Sequence, residues 1–576
     1  MKDSDFGDSS INLFLEKAGH LSLMVDKNSS FPISIYNIKN LRSLLFQFEI
    51  GMNSFDGVLL ELLGKNTCLR ALAMGGTAKF DMMTGVRFSY HIKLERIPKE
   101  IKKLIHLRYL DLSENAALEM LPEELCELCN LQTLNVYWCY NLKELPQGMG
   151  KLINLRHLVN DYTNSLRYMP KGIEKLTCLQ TLSEFRVSGS DYHRKACSLE
   201  FLNQFGHLEG SLGIVGLGNV TNVSEAQRIQ LRNMENIFKL ELSFDGSDSV
   251  NNEAIIEALQ PPPNLHELMI SEYAGSTVLP NWIVSLTNLR GISLVEWINS
   301  EQLPPLGKVS SLESILIQRM NRVKRVGIEI LGLESDGITL SSSSLSISAF
   351  PKLKSLYFYE MEEWEEWDFG IEDGNITILP SLRLLEIGDC PKLKVLPKKI
   401  LQMAPLEILS IYRCPILSES YRKGTGENWS YISHIPNIQI DRQFVQRDCR
   451  LCLNRSRLGV DPYFSVSLMK NYLSFNSSKS NVRAQKEFAS FEVVHLFRPT
   501  CSTPGVSICR KEARRRCSRH FFLIGCVQKK RQRGSIGRDP FTLLAFRSSL
   551  ANHGFIRFTS DMLNVDIQIM NQLWLW

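Results

Sequence analysis

The residues best spaced for metal or thiol chemistry are two Cys-x-x-Cys pairs, Cys126/Cys129 and Cys449/Cys452. A structural zinc needs four such ligands. Neither pair is followed by a second Cys-x-x-Cys or by a His pair at zinc spacing. Cys126 and Cys129 fall on the apolar stretch 125–129, so both are expected to pack in a core. Gly216-x-Gly218, followed by Asn219 and Val220, lacks the third glycine of a dinucleotide loop. Gly-Lys occurs at Gly64-Lys65, Gly150-Lys151 and Gly307-Lys308. The next residues are Asn66, Leu152 and Val309, so no phosphate loop ending in Gly-Lys-Ser/Thr is present. The 11 histidines are scattered and suggest no Ser/His/Asp arrangement. The expectation is a non-enzyme with no cofactor and no metal site. The chemistry left is recognition by aromatic and arginine side chains.

Those side chains are positioned by a repeat. Pro98, Pro122, Pro146 and Pro170 are each 24 residues apart. Nine residues after each stands a leucine (Leu107, Leu131, Leu155, Leu179), and three further on another (Leu110, Leu134, Leu158, Leu182). The unit reads L-x-x-L-x-L-x-x-N/C, as in Leu107, Leu110, Leu112, Asn115 and in Leu406, Leu409, Ile411, Cys414. A fixed period of this kind is the mark of a repeat architecture. About 14 units are led by residues near 41, 69, 107, 131, 155, 179, 208, 237, 265, 289, 312, 353, 382 and 406. In L-x-L both leucines point to one face of a strand and the x residue to the other. The Asn/Cys position, where Cys139 and Cys390 also stand, meets backbone groups that the turn leaves unpaired. Proline opens the following helical or 3₁₀ turn, where its missing N–H is tolerated.

The fold class is therefore α/β: a leucine-rich-repeat solenoid, or horseshoe, with a parallel concave sheet of about 14 repeats. The expected organisation is a capping segment over residues 1–30, the solenoid over 31–440, and an irregular or disordered basic tail over 441–576. Off-period insertions are expected at 189–195, around Ser341–Ser344, and at the acidic aromatic segment Met361–Asp368. They would be tolerated loops or an added recognition surface. Exposed x positions on the strands are the candidate partner-binding residues: Arg108, Tyr109, Asp111, Gln132, Asn135, Tyr137, Trp138, Arg156, His157, Trp297, Tyr357, Tyr359, Tyr412 and Arg413.

Charge separates the two parts. The 576 residues carry a formal +5, yet residues 441–576 alone carry +14, leaving −9 for the remainder. The tail holds Arg514-Arg515-Arg516 and Lys529-Lys530-Arg531-Gln532-Arg533. The expected reading of this tail is a chance extension. The alternative is nuclear import, or nucleic-acid contact by neutralising phosphates, which would act only through this tail. With 44% apolar and 22% charged residues, the chain is ordinary globular protein rather than collagen or a disulfide scaffold. The polar, acidic start shows no secretory pattern, and the longest apolar run of the tail, Phe521–Ile524, is too short to span a bilayer. The expected setting is cytoplasmic, with the nucleus as a second compartment.

Particular stretches resemble the leucine-rich-repeat half of plant coiled-coil, nucleotide-binding, leucine-rich-repeat disease resistance proteins. They are residues 97–113 and 121–152, Gly216–Val220, Gln302–Gly307, Phe350–Leu353 with Trp364 and Trp367, and Asp389–Leu393. The resemblance runs from about residue 20 to 440. It implies a defence-response protein that recognises a pathogen effector or a guarded host protein on its concave face. In the family such repeats also restrain a nucleotide-binding switch. The phosphate loop and the Met-His-Asp signature of that switch are not found in this sequence. Nucleotide binding is therefore not carried over, and restraint would act in trans on the nucleotide-binding module of a related receptor. A truncated receptor is the expectation. A signalling scaffold without a pathogen ligand, or a non-functional fragment, are the alternatives.

Overall fold

In a computed structural model the described residues are 18–25, 33–48, 56–81, 86–90, 94–245, 251–275, 280–332, 347–370, 376–441 and 443–447. The chain divides into units 1–480 and 481–576, and every described residue lies in the first. The expectations for Ser341–Ser344, Cys449/Cys452 and the basic clusters fall outside the described residues.

Each leucine-led unit contributes a short strand. A seven-stranded parallel sheet runs through β1 (His20–Val25), β2 (Ser43–Phe48), β3 (Ala71–Ala73), β6 (Tyr109–Asp111), β7 (Thr133–Asn135), β8 (His157–Val159) and β9 (Thr181–Leu182). Between β3 and β6 an antiparallel pair, β4 (Thr77–Asp81) and β5 (Val86–Tyr90), stands outside it. A second sheet of eleven strands takes up β10 (Glu184–Arg186), β11 (Gly210–Val215), β12 (Ile237–Ser243), β13 (Glu267–Ser271), β14 (Gly291–Val295) and β15 (Ser314–Gln318). It continues through β18 (Ser355–Tyr359), β21 (Leu384–Gly388), β22 (Ile408–Tyr412), β23 (Asn437–Ile440) and β24 (Gln443–Gln446). Two-stranded pieces, β16 (Arg325–Val326) with β19 (Glu366–Trp367) and β17 (Ile347–Ala349) with β20 (Ile376–Ile378), fill the long repeats.

All fourteen leaders carry a rung, and β1 and β23 add one at each end. β1 lies within the segment expected to be a cap, because Leu21 and Leu23 supply an L-x-L strand without the proline signature. β24 pairs antiparallel with β23 and covers its open edge.

The single sheet expected from the repeat is interrupted inside the 179 unit. β9 pairs backward with β8, whereas β10 pairs forward with β11. Between them the Asn160 side chain replaces the ladder. Its Nδ2 donates to the Glu184 carbonyl (2.9 Å) and its Oδ1 accepts from the Glu184 amide (3.2 Å). Asn160 stands where Leu112 and Val136 stand in the preceding repeats, so one polar substitution diverts the pairing.

The leaders and the L-x-L leucines form one continuous core, with Leu107, Leu110, Leu131, Leu134, Leu155 and Leu158 fully buried. The returning side consists of 3₁₀ turns, Lys99–Lys103, Glu123–Glu127, Gln147–Lys151 and Lys171–Lys175, each opened by the periodic proline in extended conformation. Neighbouring turns press close. A Cβ on Gly150 would stand 2.6 Å from the Gly172 carbonyl oxygen, so both sites need glycine. The same packing absorbs the Gly-Lys pairs 150–151 and 307–308 into turns.

The asparagine position behaves as its spacing implies. Asn115 Nδ2 donates to Met74 O (3.0 Å) and Leu112 O (2.9 Å). Cys139 Sγ makes the equivalent bond to Leu112 O (3.1 Å), and burial pushes its thiol up to about 12. Cys414 Sγ reaches Tyr412 O and accepts from the Cys390 amide (3.3 Å each). Cys126 is buried as expected, but Cys129 is exposed, because the 3₁₀ turn ends at Glu127 and Leu128 then takes the inward place, leaving Cys129 outward.

One regularity has no counterpart in the sequence pattern. The eighth residue of the unit, just before the Asn/Cys position, adopts left-handed backbone in Glu114, Trp138, Tyr162, Glu272, Glu296, Arg319, Glu360, Asp389 and Arg413 (φ 50–61°). Non-glycine residues pay for this conformation, of order 1–3 kcal/mol each. The bend carries the chain off the strand and aims the ninth side chain inward. No helix among the described residues is long and apolar enough to cross a membrane.

Candidate protein-binding surface

The sheet face opposite the leucine core is built by the third, fifth and seventh residues of each unit, and strand register aligns them in rows. In the second sheet the fifth-position row reads Glu241, Met269, Ser293, Leu316, Tyr357, Glu386, Ser410. The seventh-position row reads Ser243, Ser271, Val295, Gln318, Tyr359, Gly388, Tyr412. A track of small residues thus leads to a wall of tyrosines.

That wall is a cluster separate from the main core. Leu316, Tyr357, Tyr359 and Leu384 are buried in it, with Ile408 and Tyr412 packed against them. Tyr359 stacks near Tyr357 (6.2 Å between centroids) and Tyr412 (6.0 Å). Tyr412 lies across Gly388, where a Cβ would come within 2.2 Å of the ring. Burial, and then the Glu386 carboxylate, push the Tyr359 phenol well above its ordinary range. Along the bordering eighth positions, Arg319 bridges Glu296 (2.6 Å) and Glu360 (2.7 Å), and Arg413 pairs with Asp389 (2.7 Å).

The first sheet carries a second aromatic group. Trp138 stacks on Tyr162 (5.1 Å), and Tyr137 meets both rings edge-on (5.9 and 5.4 Å). Tyr109 donates to Asp111 (3.2 Å), which also accepts from the Ser113 amide (2.9 Å). Burial raises the Asp111 carboxyl in spite of these bonds. Asn135 accepts from the Tyr137 amide (3.0 Å). His157 contacts Thr181 Oγ1 (3.1 Å), and burial lowers its imidazole, with Glu209 opposing and Arg156 assisting.

Of the fourteen residues expected to be exposed, Arg108, Arg156 and Arg413 are exposed. Tyr109, Gln132, Asn135, Tyr137, His157 and Tyr412 are half-buried. Asp111, Trp138, Tyr357 and Tyr359 are buried, because neighbouring side chains on the same face cover them. Trp297 is a correction. It is fully buried in the main core and its Nε1 donates to Ile270 O (3.3 Å). Trp297 occupies the ninth position of its unit and does the work of Asn115, with Tyr273 at the same position one rung earlier packed against it (4.8 Å). Counting from Leu289 would have placed it there.

The acidic aromatic segment is also core. Trp364 and Trp367 are buried against Phe358 (4.6 and 5.2 Å), while Lys392 and Lys394 bind Glu363 and Glu365. The loop at 189–195 instead stacks Tyr192 on Tyr168 (5.1 Å). Sequence reasoning missed Leu316, Leu384 and Ile408, whose outward position is hidden among leucines. It also missed Glu114 and Tyr162, and Arg42 and Arg70, which share the second position of the unit with Arg108 and Arg156. No group of three metal-ligating side chains comes together among the described residues.

A family model described as a leucine-rich repeat region matches residues 82–372. A candidate disease resistance protein of Arabidopsis thaliana is 34% identical over 278 residues, 45% of this chain and 18% of the relative. Disease resistance protein RGA2 of Solanum bulbocastanum is 29% identical over 254 residues, 42% of this chain and 22% of the relative. The chain thus spans about a fifth of the length of these relatives. Among solved structures, a leucine-rich-repeat protein of Leptospira interrogans is similar at 20% identity and a TM-score of 0.41, covering 77% of this chain and all of that one. The match over residues 82–372 and the kind of relatives that share it agree: this chain belongs to the leucine-rich repeat region family, with repeats of the sort carried by plant disease resistance proteins.

Proposed function

We propose that the chain is a non-enzymatic recognition module of plant defence that binds a protein partner on the sheet face opposite its core. The partner would be a pathogen effector, a guarded host protein or the nucleotide-binding module of a related receptor. The observation that carries this reading is the aromatic content of the outer face and its eighth-position border: Tyr137, with Trp138 and Tyr162 on the border, at one sheet, and Tyr357, Tyr359 and Tyr412 on the other. Aromatic residues dominate binding hot spots. A cytoplasmic setting is supported by the eight described cysteines, all unpaired as thiols.

The test is a two-hybrid screen against secreted pathogen proteins and nucleotide-binding modules of related receptors. Hits are re-examined with Tyr137→Ala and Tyr412→Ala, both half-buried positions. At least one partner lost by a variant that keeps its melting temperature is the expected result. Partners that bind both variants unchanged would sink the reading.

A further inference from the structure

The face made by β6, β7 and β8 is oppositely charged at its two borders. Along the second positions, Arg42, Arg70, Arg108, Gln132 and Arg156 form an unbroken row. Each amide donates to the carbonyl of the residue before it in the row, from Arg70 N on Arg42 O (2.6 Å) to Arg156 N on Gln132 O (2.8 Å). Successive side chains therefore leave the sheet about 4.8 Å apart. All four arginines are exposed, and the row contains no acid.

The opposite border is acidic and aromatic. The seventh and eighth positions hold Ser113 and Glu114, Tyr137 and Trp138, Asp161 and Tyr162, with no lysine or arginine. The Glu114 amide donates to Tyr137 O (2.7 Å) and the Trp138 amide to Asp161 O (2.9 Å). A carboxylate-bearing residue thus stands on the rung either side of Trp138, Glu114 buried and Asp161 half-buried beside Tyr162. Left-handed backbone at Glu114, Trp138 and Tyr162 holds this border off the strand. The half-buried Tyr162 ring beside Asp161 suits a lysine or arginine, whose stem lies on the aromatic surface while its charge meets the acid. The arginine row suits carboxylates, which guanidinium groups grip with two parallel hydrogen bonds.

We propose that this face docks an extended polypeptide segment with acidic residues at one end, over Arg108 and Arg156, and a lysine or arginine at the other, over Tyr162 and Asp161. Arg108 and Glu114 are six residues apart, at most about 20 Å at roughly 3.3 Å per extended residue, and the bend after β6 shortens that span. The partner's opposite charges are thus no more than about six residues apart when extended. A nucleic acid is disfavoured, since phosphates that run on from the arginine row would meet the half-buried Asp161. The inference rests on the reading that this face binds protein, and adds which chemistry and which orientation it selects.

The probe is a fluorescent peptide with a pair of glutamates and a pair of lysines separated by a glycine–serine spacer, titrated with the full chain at low salt. The Arg108→Glu/Arg156→Glu variant is expected to bind it about tenfold more weakly, or about 1.4 kcal/mol, with an unchanged melting temperature. The same variant should prefer a peptide with lysines at both ends. Asp161→Lys should show the reverse and prefer glutamates at both ends. Equal affinity of wild type and variants, no binding to wild type, or tighter binding of a mixed single-stranded oligonucleotide would each overturn the proposal. If Tyr412→Ala still abolishes capture of a screened partner while the peptides fail, the charge-ordered docking falls alone. If both fail, the protein-binding reading falls with it.

Discussion

Trp297 offers the sharpest test of the architecture, because its place in the structure and its appearance in the sequence lead to different magnitudes. A tryptophan on an exposed strand position could be truncated at a cost within about 0.5 kcal/mol. In the structure the side chain is 0% exposed, packs on Tyr273 at 4.8 Å, and donates its Nε1 proton to Ile270 O. Truncation to alanine removes one of the core's buried tryptophans and leaves a cavity, a loss of about 3–5 kcal/mol. The freed Ile270 carbonyl adds about 1–3 kcal/mol if water cannot reach it. Trp297→Phe keeps most of the ring and loses the donor, so its cost should be much smaller and close to the hydrogen-bond contribution. The measurement is urea unfolding of the full chain, followed by circular dichroism so that losing a tryptophan does not change the signal. Because each repeat leans on its neighbours, the loss should appear as a lower midpoint for the coils around β13, β14 and β15. A midpoint for Trp297→Ala within error of wild type would refute the assignment of this residue to the buried ladder.

Three further outcomes follow from other positions. Gly388→Ala places a methyl where the Tyr412 ring lies, so it should destabilise by about 1–3 kcal/mol; the penalty should largely vanish in a Tyr412→Ala background, and a double-mutant cycle without coupling would contradict the packing. Burial raises the Asp111 carboxyl above its ordinary 3.8, so its contribution favours folding below that pH and is lost as pH rises through the folded value. Asp111→Asn should therefore gain stability relative to wild type at neutral pH and lose that advantage in acid, as checked by urea midpoints across pH. In the native protein a thiol reagent should label exposed Cys129 quickly and spare buried Cys126, whose thiol burial pushes up to about 12; equal labelling, read by mass spectrometry, would count against the turn geometry.

The amino-acid sequence by itself determined the repeat, its 24-residue spacing in the middle of the chain, the identity of the core leucines and the Asn/Cys ladder. Each of these depends only on residues within one unit, where side-chain alternation and turn chemistry act locally. The continuity of the sheet, the exposure of its outer face and the left-handed eighth residue are decided between units. Asn160 breaks the ladder only because Glu184 lies on the next rung. Tyr359 is buried only because Tyr357 and Tyr412 flank it. The charge division across β6–β8 arises because register brings Arg70, Arg108 and Arg156 into one row and Glu114 and Asp161 to the opposite border, though they are scattered over more than 80 residues of sequence. Periodicity says which way a side chain points. What it meets there is set by neighbours a whole coil away, and only the stacked structure brings those together.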